Sequence, residues 1–207
     1  MMYIRVEHIN GLPVIIADEV FSDDQCNSLW KEFLFLDETK LKNPDETGAA
    51  RMFDSDGNTV QKLKHVKGIV VDTVYSDRNI SNILTHNRIF FSEEFTNAAE
   101  ECNIFFRYLN TSTIDTTILH YYENSNFYDL HFDSATLTIV SWFYKEPKSF
   151  KGGEFIFEDG TTIKCTNNRS VIFPSILKHS VSPIEINADK IGNNYGRYSM
   201  TQFIGCV

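Results

Sequence analysis

His131, Phe132 and Asp133 put an imidazole and a carboxylate two positions apart, and of the six histidines only His131 has an acid at that spacing. On a β-strand, residues i and i+2 point to the same side, so a strand through this segment would hold both groups on one face. A second imidazole arriving from another strand would complete a face of two histidines and one carboxylate on a metal ion. Such a face leaves open positions suited to non-haem Fe(II) and oxygen chemistry. His179 is the candidate, because it opens a β-rich run just after Phe173-Pro174-Ser175, a strand end and a turn. The spacing alone is weak, since composition gives roughly 0.4 His-x-Asp matches by chance, and an ordinary structural pair is the competing reading. Further on, Arg197 and Ser199 share one face of the last strand. An inward guanidinium there requires an anion, because a buried unpaired charge is costly. A bound dicarboxylate would supply it, and so would a core acid.

The elements that must position these groups change character near residue 112. Before it the periods are mixed. Val14-Ile15-Ile16 reads as a short strand, and Ser22-Asp23-Asp24-Gln25 reads as a capping box opening a helix over 23–36. Residues 43–59 are polar and rich in turn formers, which predicts a long loop, a frequent form for a lid or binding segment. Two more helices are expected over 78–108, the second starting at Ser92-Glu93-Glu94. After residue 112 come short β-rich runs: 116–122, 128–133, 136–144, 154–157, 161–165, 170–173, 180–184 and 197–204, joined by turn residues such as Gly152-Gly153 and Asp159-Gly160. Strands at this spacing make a sandwich, jelly roll or barrel. The expected organisation is a single α+β domain over 1–207, with residues 1–111 as a helical and mixed supporting layer and 112–207 as a β-roll core.

At this point the sequence resembles a family, the Fe(II)/2-oxoglutarate-dependent oxygenases of the prolyl 4-hydroxylase type. The pattern Y-x-x-G-x-x-Y-x-x-H-x-D is similar to Tyr122-Glu123-Asn124-Ser125-Asn126-Phe127-Tyr128-Asp129-Leu130-His131-Phe132-Asp133, with Ser125 where glycine is usual. Gly152-Gly153-Glu154-Phe155-Ile156-Phe157 resembles a G-G-x-x-x-F motif, and Phe173-Pro174 followed by His179-Ser180-Val181-Ser182-Pro183 resembles the second-histidine run. Arg197-Tyr198-Ser199 is similar to the closing R-x-S strand. The resemblance implies a double-stranded β-helix, a jelly-roll of cupin-like form, with N-terminal supporting helices. It implies Fe(II) held by His131, Asp133 and His179, and 2-oxoglutarate held by Arg197 with Ser199 and Tyr122. Tyr128 would stand near the substrate mouth, O2 would be the second cosubstrate, and ascorbate is an optional reductant. The gap from His179 to Arg197 is longer than usual, which leaves Lys190 as the substitute anchor. The strand 136–144 lacks the family's tyrosine-rich ending, so which of its rings faces the cosubstrate stays open.

The implied reaction is hydroxylation coupled to decarboxylation of 2-oxoglutarate, on prolyl residues of a peptide or protein held by the loop around 43–68. A free amino acid or another small metabolite is the alternative substrate, and a metal-binding β-roll without oxygenase activity is the alternative class. A formal charge of −9 argues against nucleic acid as a partner. No stretch approaches the ~20 apolar residues of a membrane span, and the opening residues do not read as a signal peptide. Four scattered cysteines without a C-x-x-C pair suggest buried free thiols and a reducing, cytoplasmic setting.

Overall fold

Asn10 and Gly11, at φ +50° and +78°, make the tight turn of a hairpin between β1 (Tyr3–Ile9) and β2 (Leu12–Asp18). This is the geometry an Asn-Gly pair adopts most readily. The computed structural model describes residues 2–47, 51–53, 55–56 and 59–206. Helix α1 (Asp23–Thr39) starts at the expected capping box, with the Ser22 side chain accepting from the Gln25 amide and Gln25 returning to the Ser22 amide. It runs three residues past the expected end. Short strands follow: β3 (Arg51–Phe53), β4 (Thr59–Lys62), β5 (Lys64–His65) and β6 (Lys67–Val70). Then come α2 (Asn82–His86), α3 (Glu93–Cys102), capped by Ser92 as expected, and α4 (Tyr108–Thr111).

The C-terminal half supplies β7 (Ile114–Tyr122), β8 (Phe127–His131), β9 (Leu137–Phe143), β10 (Phe150–Gly152), β11 (Phe155–Phe157) and β12 (Thr162–Ile163). It ends with β13 (Arg169–Pro174), β14 (His179–Val181), β15 (Ile184–Ile186) and β16 (Arg197–Gly205). One antiparallel sheet of seven strands has the order β1-β2-β13-β9-β16-β7-β6, and a second of five has the order β12-β11-β14-β8-β5. The two-stranded pairs β10-β15 and β3-β4 complete the described pairings.

Period-two alternation splits the large sheet's side chains between two cores. Ile15, Leu119, Ile139, Phe143, Tyr198 and Met200 face the helices and pack with Leu29, Phe33, Phe90 and Phe95. Val14, Ile16, Tyr122, Trp142, Val171 and Phe173 face the smaller sheet and pack with Phe155, Phe157 and Val181. The result is an α+β fold in which two antiparallel sheets face each other and helices back the larger one.

The structure corrects three expectations. The loop predicted over 43–59 contains a short 3-10 turn at Pro44–Glu46 and one strand of a hairpin, with Arg51 opposite Lys62 and Met52 opposite Gln61. Polar composition hid this, because strands of three or four residues are too short to show a period. Residues 48–50, 54 and 57–58 of that predicted loop lie outside the described residues. The N-terminal layer is more than support: β1, β2, β5 and β6 join the two sheets, and β2 pairs directly with β13. Of the four free thiols only Cys165 is buried, while Cys102 and Cys206 are exposed. No helix among the described residues is long and apolar enough to cross a membrane.

Candidate metal centre

β8 and β14 are neighbours in the smaller sheet, with His131 directly opposite His179. The register shifts between His179 and Val181, just after this pair. The ring centroids lie 4.3 Å apart. Each ring is held by its own backbone: Nδ1 of His131 donates to the Asp129 carbonyl at 2.7 Å, and Nδ1 of His179 donates to the Leu177 carbonyl at 2.9 Å. A carbonyl only accepts, so each Nδ1 carries the proton and each Nε2 keeps a free lone pair.

Asp133 lies beyond the end of β8, so a shared strand face does not account for its position. Its amide donates to the Ser175 carbonyl at 3.0 Å, tying it to the turn after β13. Its Oδ2 accepts from the Thr138 hydroxyl at 2.7 Å, and the Ser175 hydroxyl lies 2.9 Å from that of Thr138. Because Thr138 spends its only proton on Asp133, Ser175 must donate to Thr138. So held, the carboxylate is 3.6 Å from His131 Nε2 through one oxygen and 3.5 Å from His179 Nε2 through the other. One ligand atom from each of the three residues lies within 4.8 Å of the others.

Burial pushes both imidazoles down to about 4, which keeps them neutral and able to ligate at physiological pH. Burial lifts the Asp133 carboxyl. The donor set is two imidazole nitrogens and a carboxylate oxygen, with no thiolate, which suits a divalent first-row metal such as Fe(II). Phe155 and Phe173 flank His179 with centroids at 4.9 Å, and Tyr128 stacks on His131 at 3.6 Å.

These residues open into a cavity of about 1030 Å³ between the two sheets. Arg197, fully buried, lies in it on β16, opposite Tyr122 of β7, and its guanidinium stands 4.3 Å from the Tyr122 ring and 5.8 Å from the Trp142 ring. One Arg197 nitrogen donates to the Gly153 carbonyl. The glycine pair is needed for this, since Gly152 has φ +69° and a β-carbon there would meet the Pro183 carbonyl at 2.0 Å. Arg197 has no carboxylate partner among the described residues, and its Nε and the indole nitrogen of Trp142 are buried without hydrogen-bond partners.

Ser199 is buried in the cavity wall between His120 and Trp142, and burial raises the Tyr122 phenol to about 12. Lys190 lies elsewhere, bonded to Ser149. Phe155, Phe132 and Phe203 line the cavity, Phe132 as a half-exposed rim residue, whereas Phe157 and Phe173 sit in the core behind. Thr138 and Ser175, which orient Asp133, and His120 and Lys64 in the cavity wall were not expected from the sequence; of the rings on strand 136–144, Trp142 is the one beside Arg197, while Phe143 faces the helices. Thr138 and Trp142 sit at alternate positions of β9 that share the inner face, a signal present in the sequence.

Residues 116–205 match the 2OG-Fe(II) oxygenase superfamily. That β-rich segment is therefore similar to a family of oxidoreductases that use Fe(II), 2-oxoglutarate and O2. Among its structural relatives the fold is that of the prolyl 4-hydroxylases. A prolyl 4-hydroxylase of Pseudomonas putida superposes with a TM-score of 0.60 at 14% identity, covering 94% of this chain and 92% of that one. One from Phytophthora capsici gives 0.58 at 15% identity, and this chain, 94% covered, spans 59% of its length. A viral collagen prolyl hydroxylase from Paramecium Bursaria Chlorella virus-1, solved with 2-oxoglutarate, gives 0.52 at 15% identity over 94% and 96% of the two chains. No curated protein matches the sequence.

Proposed function

We propose that the protein hydroxylates prolyl residues of a peptide or protein, with His131, Asp133 and His179 holding Fe(II) and Arg197 holding the distal carboxylate of 2-oxoglutarate. The observation that carries this reading is one cavity containing two opposed kinds of unmet demand. At one place are two neutral Nε2 lone pairs and a carboxylate. At another is a buried guanidinium with no acid beside it among the described residues. A metal cation answers the first and a dicarboxylate the second.

When bound, iron and 2-oxoglutarate supply the oxidising chemistry, in which 2-oxoglutarate loses CO2 to become succinate and one oxygen atom of O2 ends on a substrate carbon. The chain's residues do the rest. The backbone carbonyls of Asp129 and Leu177 fix the histidine tautomers, and Ser175 and Thr138 relay a hydrogen-bond chain that orients Asp133. His131, Asp133 and His179 would hold the ion through three donors and would leave positions for the cosubstrate and O2. Arg197, with the Ser199 hydroxyl and Tyr122 phenol nearby, orients the cosubstrate, and the Phe155 and Tyr128 rings exclude water from the metal face. Tyr128 also stands where the substrate approaches.

The test is mass spectrometry of a prolyl-peptide panel incubated with Fe(II), 2-oxoglutarate and O2. A gain of one oxygen on proline, with matching succinate, is the expected result. Succinate formation that no peptide stimulates, with stimulation by free amino acids instead, would overturn the peptide reading in favour of a small-metabolite hydroxylase.

A further inference from the structure

Among the described residues, four charged ones line the cavity: Asp133, Arg197, Lys178 and Lys64. Lys178 sits at the rim, half-exposed and 3.9 Å from Glu158. Lys64 is different. It lies on β5 opposite Tyr128, its ammonium stands 5.8 Å from the Tyr128 ring, and that ring stacks on His131. Among the described residues no carboxylate pairs with it, and burial alone pulls its pKa down. Beside it in the wall is His120, only 6% exposed, with Nε2 buried and without a partner. The fold makes room for that ring. A β-carbon on Gly68, across the strand pair from His120, would meet its Cδ2 at 2.6 Å. The wall next to the metal face thus holds an ammonium and an imidazole that the machinery proposed above does not use.

Charge balance says what they face. With a divalent ion and 2-oxoglutarate in place, the metal and Arg197 are neutralised by Asp133 and the two cosubstrate carboxylates. Lys64 is left over, half-buried, and a cation so placed is stabilised by an anion brought in with the ligand. Resting on the reading of the metal centre given above, we infer that the substrate presents a carboxylate to Lys64, with His120 as the adjoining hydrogen-bonding group. The carboxylate belongs either to a free amino acid or to an acidic side chain in a peptide.

Calorimetric titration under argon, on full-length protein loaded with Fe(II) and 2-oxoglutarate, tests this with four probes: L-proline, prolinamide, acetyl-Pro-Glu-amide and acetyl-Pro-Gln-amide. The acid of at least one pair is expected to bind about ten- to hundredfold more tightly than its neutral partner. The free amino-acid pair and the peptide pair separate the two sources. In Lys64→Met that preference should collapse towards unity, and in Lys64→Arg it should be largely retained. Equal binding of acid and neutral probes, binding of none, or an unchanged preference in Lys64→Met overturns the inference. Failure of the wild-type protein to take up Fe(II) and 2-oxoglutarate in the loading step would strike instead at the metal-centre reading, and at this inference with it.

Discussion

Arg197 carries the heaviest demand of any single side chain. It is fully buried, touches two aromatic rings and one carbonyl, and has no acid partner among the described residues. If 2-oxoglutarate supplies the missing anion, Arg197→Met should raise the 2-oxoglutarate dissociation constant about ten- to hundredfold, because a charge-assisted, fork-shaped pairing is lost. Arg197→Lys should recover only part of it, keeping the charge but not the fork. A 2-oxoglutarate titration of the Fe(II)-loaded variants reads this out, and an unchanged constant in Arg197→Met would remove Arg197 from the site. That His131, Asp133 and His179 come together was legible from the order of motifs rather than from the His-x-Asp spacing alone. Lys64 and His120 were not legible, since a lone lysine and a lone histidine gain meaning only from the wall that gathers them.

At the scale of elements, the joint between β2 and β13 is where the N-terminal hairpin meets the roll. Arg169 on β13 grips Asp18 at the end of β2 with two nitrogens, at 2.5 and 2.9 Å, and Arg5 on β1 adds a third contact at 3.0 Å. Partial burial alone would raise the Asp18 carboxyl, but the two arginines outweigh it and hold it below the usual carboxylate range. A depressed folded pKa means stability present above the unfolded value of about 3.9 and lost as pH falls through the folded one. Asp18→Asn should therefore lower Tm at pH 7, and the difference from wild type should shrink as pH approaches 3. Thermal melts across that range check it; a gap that is constant with pH would mean the ion pair contributes nothing.

Most of the roll's strands fall within a residue or two of the runs expected from alternation and turn residues, because buried sheets enforce period two. What escaped were strands too short to show a period, β5 and β10 among them. β1 also escaped, although its Asn10-Gly11 turn is a direct hairpin signal. Asp133 was expected on a strand and instead hangs from the turn at Ser175, a placement set by a contact distant in sequence.

For the molecule as a whole, the large sheet divides the labour. One face packs Phe33, Phe90 and Phe95 from the helices, and the other bounds the cavity with His120, Tyr122, Arg197 and Ser199. Helices pack on one side, and on the other residues from β7, β9 and β16 face His131 of β8 and His179 of β14 across the cavity. The central claim is that these parts form one iron and 2-oxoglutarate site, and it is tested most directly by optical titration of protein with Fe(II) and then 2-oxoglutarate under argon. A visible charge-transfer band that saturates at one equivalent and is absent in Asp133→Ala is the predicted result. No band in the wild-type protein, or an equal band in Asp133→Ala, would contradict the account.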